Sequence, residues 1–274
     1  MKRAKVKAIV IQKIHDIAST CKTIEDNFDQ DTIHDFRIKV RSLRSFLRLQ
    51  RIHSDEAGTK ISKKFMQLYH IAGRIRDTQL EIDHLAANNL EIGLYPDQLH
   101  HTLELQKEEW RQLYSKKTIR KLSRKLSGLK YKALPPYVLR KFFNDRMGTL
   151  DMITGTMPLT DTEIHDVRKK IKDILYTSKI AKKKWKAAVK LVDDIPVKQL
   201  EHLADLIGDR NDDRIMLEHL TAFSLKNTGK PGINNIKLLM DKERDTLLQK
   251  KKDIVAYAGE LTLHEKDNTR DQTQ

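Results

Sequence analysis

Five basic side chains in one short stretch carry the most specific chemistry in this chain. From His34 to Arg48 the sequence reads HDFRIKVRSLRSFLR, and His34, Arg37, Arg41, Arg44 and Arg48 recur at steps of three and four. On a helix, at about 100° per residue, that row keeps to an arc of about 80° and runs roughly 20 Å along the axis. Ile33, Phe36, Val40, Leu43 and Leu47 form an apolar stripe directly beside it. An amphipathic helix ordinarily sets one apolar stripe against a mixed-charge back; this polar stripe has no carboxylate to neutralise it. An arginine fork donates two hydrogen bonds to phosphate oxygens and never loses its charge. A row of such groups suits an extended polyanion better than a single phosphate.

The pattern returns 131 residues later, where His165-Asp166-Val167-Arg168 repeats His34-Asp35-Phe36-Arg37. Ile164, Val167, Ile171 and Ile174 take the apolar places, and His165, Arg168, Lys172 and Lys179 the cationic ones, with Lys183 and Lys186 prolonging the row. Leu175 breaks it where the first copy has Arg44. A second motif also recurs: Ala72-Gly73-Arg74-Ile75-Arg76-Asp77 matches Ile207-Gly208-Asp209-Arg210-Asn211-Asp212. Two motifs in the same order at nearly the same spacing point to an internal duplication.

With HDFRIKVRSLRSFLRL and IHDVRKKIKDILY, and with AGRIRDTQL and IGDRNDDRIML, the chain resembles the CHAD family, named for a helical domain with characteristic histidines. The resemblance covers roughly residues 30 to 220. It implies an all-α fold of two antiparallel helical bundles, related by a pseudo-twofold and enclosing a basic channel that binds inorganic polyphosphate. The candidate contacts are the two rows, His34, Arg37, Arg41, Arg44 and Arg48, then His165, Arg168, Lys169, Lys172, Lys179 and Lys183, together with Arg76, Arg120 and Arg124. Asp35, Asp77, Asp166 and Asp212 are expected to bridge arginines and support the site. Ser42 stands where the family has the second arginine of a pair; Leu175 and Asn211 replace arginines in the second half, which is therefore expected to hold ligand less tightly.

The bulk properties agree with an anionic partner. A net charge of +15 over 274 residues calls for nucleic acid, polyphosphate or an anionic membrane surface. Ten Gly and six Pro leave little room for hairpins or Gly-rich phosphate loops, and sparse aromatics among Lys, Arg, Leu and Glu favour helices. One cysteine, Cys21, excludes an internal disulfide and a CxxC metal knuckle. No run of 18 apolar residues occurs, so no membrane insertion and a cytoplasmic location are the expectation; the family resemblance adds polyphosphate granules as a target. No GxxxxGK[ST], HExxH or nucleophile elbow is present, so no catalysis, cofactor or metal is expected. The alternatives are a nucleic-acid-binding basic protein, disfavoured by 6% aromatics, and an accessory subunit of a separate polyphosphate- or triphosphate-processing enzyme. The chain names no protein partner.

The elements that must position these groups are legible from caps and breakers. Residues 4 to 27 form a first helix. Asp31 or Thr32 caps the motif helix, which runs to about His53. Ser54 to Gly58 is a turn, and Lys60 to about Asn88 a third helix with a break near Gly73. Gln98 to Leu129 follows as one helix behind Asp97. Pro135-Pro136 marks the boundary between repeats, 1–134 and 135–263, within one domain. Tyr137 to Asp151 opens the second half. Thr160 or Asp161, with Glu163, caps a helix running to about Val192. Val197 to Phe223 follows, interrupted near Gly208, and Ile233 to Leu261 is last. Residues 264–274 lack apolar periodicity and are expected to be a disordered tail. Trp110 and Trp185 are expected to pack rather than stack on ligand.

Overall fold

A computed structural model describes residues 1–53, 60–87, 93–155, 159–186, 189–193 and 195–270, with side chains described through residue 261 except at 189. Among the described residues the chain is all helix, without a strand. The helices are α1 (Arg3–Asn27), α2 (Gln30–His53), α3 (Lys63–Ala87), α4 (Tyr95–Leu113), α5 (Lys116–Ser127), α6 (Pro136–Thr154), α7 (Asp161–Lys184), α8 (Val189–Asp193), α9 (Val197–Lys226) and α10 (Ile233–Arg270). None of them is long and apolar enough to cross a membrane.

The chain forms two compact units: Met1–Val138 with Phe223–Ile236, and Leu139–Ala222 with Lys237–Gln274. Their boundary falls near Pro135-Pro136, but 223–236, read as part of the second repeat, belongs to the first unit.

In the first unit α1 packs on α2, α2 on α3 and α3 on α4, while α5 lies against α1 and α3. Ile33, Phe36, Val40, Leu43 and Leu47 are all buried, as the stripe on α2 requires. Phe36 meets Trp110 edge-on at 5.5 Å and Phe65 at 6.2 Å, and Phe28 meets Trp110 at 6.5 Å. Such ring pairs add about 1 kcal/mol each beyond the area they bury. Phe28 ends α1 in the left-handed region at φ 51°, and its amide bonds Ile24 O at 2.9 Å. In the second unit Ile164, Val167, Ile171, Ile174 and Leu175 are buried along α7, so Leu175 extends the apolar stripe instead of the cationic row.

Several helix ends differ from the sequence expectation. The α2 cap is Asp29, whose carboxylate accepts from the Thr32 amide at 2.8 Å, two residues before the expected Asp31. Gly73 and Gly208 sit inside unbroken helices. The helix expected from Gln98 to Leu129 is two: Tyr114 closes α4, and Ser115 opens α5 by accepting from the Thr118 amide. At the second motif Thr160 and Glu163 form the full reciprocal capping box. That helix stops at Lys184 and a short α8 follows, whereas α10 continues past Leu261 to Arg270. The turn expected at 54–58 lies outside the described residues.

Candidate functional site

The first row converges on a residue the sequence reading passed over, Tyr69 of α3. Arg41 Nε donates to the Tyr69 hydroxyl at 2.9 Å. The guanidinium carbons of Arg37 and Arg44 stand 5.2 Å and 5.8 Å from the centre of its ring. Tyr69 is buried, which alone would push its acidity down, yet the charges of Arg41, Arg37 and Arg44 outweigh burial and hold its pKa below the ordinary tyrosine value. Tyr69, Gly73 and Arg76 share one face of α3 by their spacing of four and three. That spacing was the available signal; a tyrosine amid apolar neighbours reads as core.

Arg37 owes its place to Gly73. A Cβ on Gly73 would overlap Arg37 Nη1 and stand 3.0 Å from its Cζ, so only glycine lets the guanidinium lie against α3. Arg37 is largely buried, and its Nε has no hydrogen-bond partner among the described residues. Burial lowers its pKa first; Tyr69 and then Asp77 oppose this, and the charges of Arg41 and Arg76 add to it. Arg76 Nε and His34 Nδ1 are likewise buried without a partner. His34 is held below the ordinary histidine value by burial, then by Arg76, Arg41 and Arg37. His70, beside Tyr69, is lowered by burial and then by Arg44, Arg37 and Arg74. The two imidazoles thus report one strongly positive field from α2 and α3.

Arg44 and Arg48 lead into a cavity of about 270 Å³ at the end of α2. Arg51 and Lys60 complete its charged lining, and Leu47, Ile61 and Met66 its apolar one. Arg120 and Arg124 are exposed on α5, which packs on α1 and α3, and neither is among the charges that act on Tyr69.

The second row differs in kind. Arg168 lies over Gly208, with its Nη2 3.7 Å from where a Cβ would stand. His165 is lowered by burial, then by Lys169 and Arg168. But Lys172 pairs with Asp205 at 3.5 Å, Lys179 with Glu201 at 2.9 Å and Lys169 with Asp166 at 2.9 Å. Lys183 is exposed. Counting from Gly73 and Gly208, Ala204 falls where α3 has Tyr69, and Asp205 where it has His70. The second row therefore faces carboxylates where the first faces an aromatic ring and an imidazole.

The carboxylates expected to bridge arginines divide. Asp77 acts electrostatically on Arg37. Asp35 instead pairs with Lys39 at 2.5 Å, and Asp166 pairs with Lys169. Asp212 accepts a long bond from Asn211 Nδ2 at 3.5 Å. The pairs that tie the second unit together were not foreseen: Arg210 with Asp161 at 2.9 Å, Lys250 with Asp213 at 2.5 Å, and Arg146 with Asp173 at 3.5 Å. Among the described residues no group of three or more His, Cys, Asp or Glu is placed to hold a metal ion.

Among the described residues the chain is all helix, with a concentrated basic cluster between the packed helices α2 and α3. The sequence profile of the CHAD domain matches residues 9–221, and the chain belongs to the CHAD domain family. Among solved structures it is similar to the crystal structure of the CHAD domain from the plant Ricinus communis. That match has a TM-score of 0.67 at 15% identity and covers 94% of this chain and 93% of that one, a likeness of fold. No curated protein matches the sequence.

Proposed function

We propose that this protein binds inorganic polyphosphate, without catalysis, through the basic groups of α2 and α3, with the α7 row as a weaker second contact. The observation that carries the reading is the positive field around Tyr69. There Arg37, Arg41 and Arg44 crowd one ring, and buried nitrogens of His34, Arg37 and Arg76 have no hydrogen-bond partner among the described residues. Buried polar groups are ordinarily satisfied, and a run of phosphate oxygens supplies acceptors and opposite charge together. The row gathered around Tyr69 marks the primary site, and the α7 lysines paired with Asp205 and Glu201 the secondary one.

The two halves descend from one duplicated unit. Arg37 over Gly73 and Arg168 over Gly208 support this, because in each half the arginine of one recurring motif stands beside the glycine of the other. A basic channel shared by the halves, a cytoplasmic location, polyphosphate granules as a target, and service to a separate polyphosphate-processing enzyme belong to the same proposal. Nucleic acid is the second reading, favoured by the net charge of +15.

A competition experiment separates them. Labelled long-chain polyphosphate is bound at moderate salt and challenged with double-stranded DNA, single-stranded RNA and ATP at equal phosphate concentration. Polyphosphate that resists all three supports the proposal. Displacement by RNA or DNA at equal phosphate overturns it in favour of an open nucleic-acid surface.

A further inference from the structure

The strongest charge outside the Tyr69 cluster lies on α5. Lys116, Lys117, Arg120, Lys121, Arg124 and Lys125 are all exposed, while Thr118, Ile119, Leu122 and Leu126 are buried. The cations form two adjacent rows at steps of four, Lys116–Arg120–Arg124 and Lys117–Lys121–Lys125. No Asp or Glu occurs between Glu109 and Asp145, and among the described residues no carboxylate pairs with any of the six. Like charges at this spacing repel and weaken a helix. The buried face holds α5 in place, so folding does not account for the outer one.

The two rows lead somewhere. Lys125 Nζ donates to the Lys60 carbonyl at 2.6 Å. Lys60 lines the cavity of about 270 Å³ that Arg44, Arg48 and Arg51 also line. Arg44 and Arg48 are the last members of the α2 row. Within one unit, positive charge therefore runs from His34 along α2, through the cavity, to the outer face of α5. By helical rise, His34 to Arg51 covers about 25 Å and α5 adds about 15 Å.

We propose that the α5 face is an external extension of the polyanion site. The part of a long polyphosphate chain that outruns the α2 row leaves through the cavity and lies along α5. This rests on the reading of the site as a polyphosphate receptor and adds to it a preference for long chains, carried by a second helix. Size and chemistry select the occupant. An unadorned phosphate chain can follow a cavity of this volume, whereas a duplex cannot. α5 has no aromatic residue on which a base could stack. Its lysines are mobile point charges that follow a backbone without fixing its register.

The test is a Lys116→Gln, Lys117→Gln, Lys121→Gln variant, which leaves the Ser115 cap and the Lys125 contact intact. Its affinity for tripolyphosphate, long-chain polyphosphate and duplex DNA is measured across a salt series, beside the unaltered protein. The expected result is a loss of about tenfold for long-chain polyphosphate, with a plot of log affinity against log salt shallower by about 2, as removal of three contacts to a single-stranded polyanion requires. Tripolyphosphate affinity stays unchanged. Unaltered long-chain affinity, or an equal loss on both phosphate probes, overturns the extension while leaving the receptor reading in place. A loss confined to duplex DNA overturns it too, and makes α5 a nucleic-acid surface. Unaltered protein that binds neither phosphate probe sinks both readings.

Discussion

The guanidinium of Arg37 occupies the space where any side chain on Gly73 would begin. One glycine in the middle of α3 thereby decides whether the first arginine of the row can lie against the neighbouring helix. Gly208 stands in the same relation to Arg168 but with ordinary van der Waals clearance, 3.7 Å to Nη2.

Gly73→Ala and Gly208→Ala should therefore part company. Alanine favours a helix over glycine by about 1 kcal/mol, and at Gly208 nothing opposes that gain. The Gly208→Ala protein should melt at or above the unaltered temperature with polyphosphate affinity unchanged. At Gly73 the new methyl displaces the tip of Arg37, so stability should change by less than about 1 kcal/mol while affinity falls. Thermal melts and binding isotherms on the two variants check this; equal affinity would show that Arg37 need not lie on α3.

Tyr69→Phe keeps the ring beneath Arg37 and Arg44 and removes only the hydroxyl that Arg41 reaches. A hydrogen bond to a charged group contributes about 1.5–3 kcal/mol when buried, and a loss at the lower end of that range is expected in denaturant unfolding. Tyr69 should also be the first phenol to ionise as pH rises, because the three arginines hold its pKa down. Ultraviolet difference titration should show that first step in the unaltered protein and not in Tyr69→Phe.

Charge removal should cost unequally in the two rows. Arg37→Ala with Arg41→Ala takes away groups that crowd Tyr69, and should weaken polyphosphate binding with helicity retained. Lys172→Ala with Lys179→Ala removes groups already paired with Asp205 and Glu201, and should weaken it less. Surface ion pairs of that kind contribute only about 0–1 kcal/mol to stability, so both variants should fold, as circular dichroism would report. A larger loss from the lysine pair would reverse the ranking of the rows.

Binding should strengthen below pH 6.5. Burial, then Arg76, Arg41 and Arg37, hold His34 below its ordinary value of 6.5, and Asp31 only partly offsets them. A polyanion in the row reverses that field and draws a proton onto the ring, so affinity rises as pH falls through the lowered value. Stability of the empty protein moves oppositely, since a neutral ring is favoured in the fold above 6.5 and that contribution is lost as pH falls. His34→Gln should flatten both profiles, read by isotherms and melts across the same pH series.

Lys13 makes a prediction on the alkaline side. Its ammonium donates to Ser42 Oγ at 2.6 Å between α1 and α2, and burial lowers its pKa from 10.5 to about 8. Below pH 8 the fold carries a poorly solvated charge. Between about 8 and 10.5 the folded state has released the proton while the unfolded chain keeps it, so stability should rise with pH, by at most about 3 kcal/mol. Lys13→Met should lack that rise and be the more stable protein below pH 8. Denaturant unfolding at several pH values checks both statements.

The sequence by itself, through local spacing, was enough to place most of the helices and the buried stripes of α2 and α7. The stripe from Ile33 to Leu47 needed only helical spacing to predict its burial, and Thr160 with Glu163 needed only the capping rule, because both are set by residues within a few turns of one another. It also determined that the basic groups of α2 share a face, which follows from the same spacing. The family was legible because its motifs recur twice in one order.

What those charges meet was decided by tertiary structure alone. Tyr69 looks like core until α3 is laid against α2. Gly73 and Gly208 look like breaks until arginines arrive over them from another helix, Arg37 filling the space that a side chain on Gly73 would take. Lys172 and Lys179 look like ligand contacts until α9 brings Asp205 and Glu201 across to them. Even the Tyr114–Ser115 division escaped the reading, because neither glycine nor proline marks it and a serine caps a helix only where the chain has already turned. Local spacing fixes the direction of a side chain, but its partner comes from a helix tens of residues away, and only packing brings the two within hydrogen-bond reach.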